Sequence, residues 1–425
     1  MPRLKILILH RMGDPLLWRK AVSDHEFLLP KHAPDHDYIV HDSAVPLPAY
    51  VAEIPFDGIL LGPTFLCNRY KPRHLARVKK IYDFIRYSEA FKIALPQDDY
   101  NCSHILDDWL IEWKVDLAFA VIDQHWDLLY PRFSKTGKLR LGYTGYIHEE
   151  WIQNWATPRA FQERTIDVSY RSGKLPPSFG YIGYEKSVIG ERFVKAVRGH
   201  PLTLDISNSS EDIIPGEQWH AFVENSKFCL GSNSGSSLID ARGEIRQATN
   251  RYLALHPEAS FEEVEAACFP GKDHVYALTA ISPRAIEAGL ALTTQISVPG
   301  SYSGILRAHE HYIPLDADCS NIEEVLATMA DTSRVQKISA DCKDALLSHD
   351  VLRSKAHASA LIDMIANHSP NKHASHPNAD KLLNRYYREI GTHTRHFWRR
   401  HRVLKKSIRL AKRYGGQRLI NFFNI

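Results

Sequence analysis

The chain predicts an α/β protein: two Rossmann-like domains facing a cleft, with a C-terminal basic helical extension. Three observations carry this. The length of 425 residues exceeds one ordinary core. Apolar strand-like runs alternate with amphipathic helices across short loops, and the series occurs twice. Charge is divided unevenly, with residues 380–425 holding a net +11 and the remainder −7.

Composition narrows the class. An apolar fraction of 44% suffices for packed cores, and 24% charged residues is ordinary. The six cysteines lack CxxC pairing, which argues against a disulfide or zinc framework and suits a reducing cytoplasm. The opening MPRLKILILHRMGD is too short in apolar residues for a signal peptide or membrane span and reads as a core strand. The expected location is cytoplasmic, with a peripheral position on the inner face of the plasma membrane.

The first domain is expected over 1–150. Leu4–Leu9, Asp57–Leu61, Phe91–Leu95 and Leu117–Ile122 read as strands, with helices over Arg73–Ser88 and His104–Trp113 between them. Residues 151–162 bridge to a second domain, taken as 151–366. Its strands are Ile166–Tyr170, Leu202–Ile206 and Lys227–Leu230, and its helices Ser187–Val197, Trp219–Asn225 and a helical stretch over 322–347. Polar residues 367–380 read as a linker, and 381–425 as a basic amphipathic tail.

The segment Ala280–Leu315 is the most telling. Ser282 suits a helix N-cap, Pro283 the first helical position, and Gly289 a left-handed C-terminal stop. Leu290–Val298 is β-rich, and Pro299-Gly300 breaks it into a Gly/Ser loop. A capped N-terminus favours an anion. Arg284, a cation in the first turn, is a poor choice for helix stability alone, and Glu287 lies one turn on.

In a doubly wound pair, ligands bind at the carboxyl ends of the strands. The loops at Arg171-Ser172-Gly173, Gly231–Ser237 (with Ser232 and Asn233) and Gly300–Gly304 occupy such places. Each joins small residues to hydroxyls or a cation, although a single Gly/Ser loop is ordinarily only a turn. Gly180–Lys186 reads as a further Gly/aromatic loop, whose Lys186 could meet a diphosphate with Arg171 or simply be a solvated charge. No dinucleotide fingerprint or phosphate-loop motif occurs. In the first domain, Asp98 or Asp99 follows a strand as candidate general base, or as a cap for the next helix. His10, Arg11 and Asp14 lie on the acceptor side. His309-Glu310-His311 lacks the spacing of a metal site, so no metal or other cofactor is expected.

Taken together, ISPRAIEAGLALTTQI followed by PGSYSGILRAHEHYIPLDADCSNIEEVL resembles the C-terminal half of GT-B glycosyltransferases, closest to the group-1-like proteins of bacterial cell-surface polysaccharide loci. The likeness covers residues 165–347 clearly and 1–150 weakly. It implies metal-independent transfer from a nucleotide-sugar, with the acceptor on the first domain and the donor on the second. It places Glu287 at the ribose position of a Glu-x7-Glu motif, and Ser301, Tyr302, Ser303 and Gly304 near the donor sugar and phosphates. Thr279 stands where that motif has its first glutamate, which leaves the stereochemical course open. A sugar-nucleotide epimerase of the same fold and a non-catalytic membrane-docked scaffold are the alternatives.

The tail mixes Arg and Lys with Phe397, Trp398, Leu404, Ile408, Leu410, Phe422 and Phe423. Such a helix fits an anionic membrane surface, or packs back on the first domain. Nucleic acid is the least fitting partner, because the acidic body offers it no groove.

Overall fold

The computed structural model describes residues 3–214, 217–369 and 377–413. The first domain holds a six-stranded parallel sheet built from β1 (Lys5–His10), β2 (Asp37–Asp42), β3 (Gly58–Leu61), β4 (Phe91–Ala94), β5 (Leu117–Ala120) and β6 (Leu139–Leu141), in the order β2-β1-β3-β4-β5-β6. The second holds a five-stranded parallel sheet of β7 (Ile166–Arg171), β8 (Leu204–Ser207), β9 (Ser226–Gly231), β12 (Thr294–Ser297) and β13 (Ile313–Pro314), in the order β13-β12-β9-β7-β8. Between them in sequence, β10 (Ser234–Ser236) and β11 (Leu278–Ala280) form a short antiparallel ribbon. Read from β8, the second sheet repeats the first five places of the other, so the two domains share one winding. The strand order reverses between β1 and β3 and between β7 and β9, the places where doubly wound sheets bind ligands.

Continuous Ile/Leu runs suit strands covered on both faces. Ile6, Leu7, Ile8 and Leu9 of β1 are all buried, as are Ile59, Leu60 and Leu61 of β3. Val168, Phe228, Leu230 and Ile296 do the same work in the second sheet, under Ile189 and Phe193. One apolar cluster runs through the interface, joining Ile8 and Leu60 to Trp151, Trp155 and the helix Pro283–Leu290.

Several elements differ from the sequence reading. The Gly180–Lys186 stretch is the first part of the helix Gly180–Ala196, not a loop. Strands β2, β6 and β11 and the helices Glu244–Leu255 and Phe261–Cys268 were not anticipated. Gly289 does not stop its helix; the left-handed residue is Leu292, at φ 53°. Gly289 is instead a packing residue, since a Cβ there would meet Leu346 Cδ1 at 2.4 Å and Cys342 Sγ at 2.9 Å.

The helix Ser354–His368 falls within the range read as the second domain yet packs on the first sheet. Leu361 and Ile365 join the cluster of Ile8, Leu60 and Ile93. A Cβ on Gly58 would come within 2.8 Å of Ile365, so the glycine sets this close approach. Of the expected linker 367–380, residues 370–376 lie outside the described residues; Asn367 and His368 end one helix, and residues 377–380 open the helix Pro377–Arg413.

That long helix is not a free tail. Ala379, Leu383, Tyr386 and Trp398 are buried. Tyr386 Oη lies 3.0 Å from His41 Nδ1, and Tyr50 donates to Glu389 at 2.8 Å. Residues 414–425, with Phe422 and Phe423, lie outside the described residues, as do the side chains of Leu404, Ile408 and Leu410. Among the described residues no helix is long and apolar enough to cross a membrane.

Candidate functional site

The loops at the carboxyl ends of the two sheets meet. Thr144, after β6, donates to Ile281 O at 2.7 Å, and Gly145 sits against Pro283. The loop after β4 is fastened to the second domain: Cys102 N–H donates to Asp240 O at 2.7 Å and Asp240 N–H to Tyr100 O at 2.9 Å.

That loop carries both candidate bases, and the structure separates them. Asp99 is fully buried, with Oδ2 accepting the Val121 N–H at 2.8 Å. Burial raises its pKa to about 7, against the opposing Arg69 charge and the Ile122 and Val121 amides. It ties two strand ends together and has no route to an acceptor, so its reading as a base is withdrawn. Asp98 is half-buried, in a left-handed conformation (φ 52°), and accepts the Tyr100 hydroxyl at 2.8 Å. The sequence reading missed what holds it there. Arg69, fully buried, donates to the carbonyls of Gln97 (2.6 Å), Asp98 (3.0 Å) and Asn101 (2.9 Å). Nothing local marks Arg69: an arginine in a short helix reads as a surface charge.

Across the interface stand the cations. Lys186, on the first turns of its helix, is half-buried, and its Nζ has no hydrogen-bond or ion-pair partner among the described residues. Burial and then the Arg284 charge lower its pKa to about 8, while Asp98 acts in the opposite sense. Arg284 reaches back from the helix Pro283–Leu290, donates to Arg171 O and stacks its guanidinium over Tyr170, 4.9 Å from the ring centre. Its Nε is buried and unpartnered. Ser282 caps that helix as expected, accepting the Ala285 N–H at 3.2 Å, with Pro283 in the first turn.

Arg171 is otherwise engaged. It pairs with Asp205 at 2.6 Å, donates to Asp212 O and lies over Phe222, which removes it from the donor-binding set. Glu287 is buried rather than on the helix surface. Its Oε2 accepts the Trp219 indole N–H at 2.6 Å, and its Oε1 lies 4.0 Å from His220 Nε2. Burial raises its pKa to about 7, opposed by Trp219 and Arg284. One oxygen is thus already occupied by an indole.

The small-residue loops converge on one another. Asn233 donates to Pro299 O at 3.0 Å, while its Oδ1 and the Ser232 hydroxyl are buried without partners. Thr279, at the place of the resemblance's missing glutamate, shares a 2.9 Å hydrogen bond with Ser301. Ser303 Oγ accepts the Ile281 N–H at 3.0 Å, and Tyr302 donates to Val298 O at 2.7 Å. Tyr302, Ser303 and Gly304 all have positive φ.

On the acceptor side, His10 is buried against Trp18 and Phe27, and its pKa falls to about 3 through burial and then His41. Arg11 turns away to Asn68 and His74, and Asp14 caps the turn that follows while meeting Arg402 at 3.4 Å. None of the three presents a reactive group to the interface. A neighbour, His25, does line it. A small cavity between the domains is bounded by Asp24, His25, His148, Trp151 and Pro283. Glu26, beneath it, accepts from Thr64 N at 2.9 Å and keeps Oε2 buried and unpartnered.

No protein-family profile matches this chain, and no curated protein is a sequence relative. Among solved structures, it is similar to a glycosyltransferase from Rickettsia africae (10% identity, TM-score 0.48, covering 87% of this chain and 99% of that one). It is also similar to HepE of Anabaena in complex with UDP-glucose (12%, 0.45, 85% and 100%). A third is an alpha-glucosyltransferase in complex with UDP and a 13-mer DNA (10%, 0.49, 85% and 99%).

Proposed function

We propose that the protein is a metal-independent glycosyltransferase that moves a sugar from a nucleoside-diphosphate donor to a saccharide or glycolipid of the bacterial cell surface. The observation that carries this is Lys186 beside Arg284, two cations with unpartnered nitrogens, facing Asp98 across the domain interface. Two neighbouring cations with nitrogens left unpartnered call for an anion, and the capped helix N-terminus at Ser282 adds to the same field. The two side chains stabilise the departing diphosphate as its bond to the sugar breaks. Asp98 accepts the proton of the acceptor hydroxyl as the new glycosidic bond forms. Ser301, Ser303 and Gly304 border the donor, and Glu287 Oε1 is the oxygen left for a ribose hydroxyl. The acceptor is met at the cytoplasmic face of an anionic membrane, which the net +11 of residues 380–425 supports.

Titration calorimetry with a panel of nucleoside diphosphates tests the reading. One of them is expected to bind, and Lys186→Gln or Arg284→Gln to weaken it by about tenfold or more, the cost of one charge-assisted hydrogen bond. A panel without any binder removes the proposal. Product analysis then separates transfer to an acceptor from epimerisation of the donor.

A further inference from the structure

The helix Pro377–Arg413 borders a groove with the segment that follows β2. Its floor is apolar: Val45 is buried, Pro46 adjoins it, and Phe397 is half-buried. The ring of His401 lies nearly parallel to Phe397, 6.2 Å between centroids. Its rim carries the exposed guanidinium of Arg400 beside the exposed imidazole of His396, and among the described residues that line it none is a carboxylate. From Gly391 to Arg413 there are nine Lys/Arg and no Asp or Glu. The complement of an apolar floor under a cationic rim is a phosphate with hydrocarbon behind it. Nucleic acid asks for open aromatic faces, whereas Trp398 is turned inward and His401 flanks Phe397.

We infer that this groove docks the protein on an anionic phospholipid surface, with Arg400 and His396 at the phosphates and Phe397 at the adjoining acyl chain. The inference rests on the membrane-facing part of the proposed function and not on the transfer chemistry. The groove lies beside Trp398, which packs on Gly13, and Arg402, which pairs with Asp14. The docking surface and the loop after β1 therefore belong to one packed unit.

Co-sedimentation of the full chain with vesicles of phosphatidylcholine, alone or mixed with phosphatidylglycerol, is the test. The chain is expected to pellet with the anionic vesicles only. The double variant Phe397→Asp/Arg400→Glu is expected to reduce that binding by roughly tenfold or more, with unchanged circular dichroism and nucleotide affinity. Arg400→Glu alone, at an exposed position, is expected to show a smaller loss in the same direction without risk to folding. A double variant that pellets as well as the parent chain overturns the groove and assigns docking to other residues, such as 414–425. A parent chain that pellets with neither vesicle overturns the groove and the membrane reading together.

Discussion

Asp98 and Asp99 are adjacent and chemically identical, yet their surroundings give them different work. Asp98→Asn is expected to lower turnover by about a hundredfold or more, the ordinary worth of a general base, with nucleotide affinity unchanged. Full turnover in that variant would remove Asp98 from the mechanism. Asp99→Asn is expected to act on stability instead. The buried carboxyl, whose pKa is raised to about 7, is neutral in the fold at pH 5 and penalised by ionisation at pH 8. The amide imitates the neutral acid, so the variant should lose less stability at pH 8 than at pH 5 in urea titrations. The opposite order would show that the ionised form is the one the fold favours. Which of the pair faces the interface was not legible in the sequence. It depends on Arg69, some thirty residues away, whose guanidinium shapes the loop through three carbonyls.

Among the elements, those built by local chemistry were the readable ones. The helix Pro283–Leu290 announces itself through Ser282 and Pro283, because a cap is satisfied within one turn. Most central strands did so through unbroken apolar runs. The edge strand β2 did not: in Asp37–Asp42 (DYIVHD) polar residues flank a short apolar run, and half its length is partly open. Gly289 was misread because tight packing against Cys342 and Leu346 demands the same residue as a helix stop. The long C-terminal helix looks detachable by composition, but its contacts with β2 decide otherwise. Tyr386 meets His41 Nδ1 and donates to Val40 O at 3.3 Å. Tyr386→Phe leaves a buried imidazole nitrogen without its partner and is expected to cost about 1–3 kcal/mol. Hydrogen exchange should find the helix and β2 loosened together; loosening of neither would mean the hydroxyl is not what fastens them.

At the scale of the whole molecule, buried titratable groups oppose one another. Burial lowers His10 and His357 to about 3, and His25, His41 and His148 to about 4. Between about pH 4 and 6.5 the unfolded chain binds more protons at these sites, so they make stability rise with pH. Burial also raises Glu26, Glu185 and Glu287 to about 7 and Asp42 to about 6. Between about pH 4.5 and 7 the folded chain binds more protons there, so these make stability fall with pH. The two sets offset each other from about pH 4.5 to 6.5; below that window the histidines act in the same sense as carboxylates held low by cationic partners, such as Asp108 and Asp167. Unfolding free energy is expected to be nearly flat across it and to drop steeply toward about pH 3. His357→Phe, which keeps an aromatic ring beside Tyr146 and Phe119, should soften the acid-side drop. An unaltered drop in that variant would exclude His357 as a contributor.

The return of the chain to its starting domain bears on how the molecule is made. Ile147 N–H donates to Leu352 O at 2.7 Å and Ser354 N–H to Ile147 O at 2.9 Å, so the outgoing and incoming crossings lie side by side. Seen from the ribosome, the first sheet emerges ahead of Leu361, Ile365 and Tyr386 and lacks them until the second domain has followed it. The first domain is therefore completed only after the second has emerged. The middle domain, whose two ends adjoin, is free to fold while the other waits with part of its apolar surface uncovered.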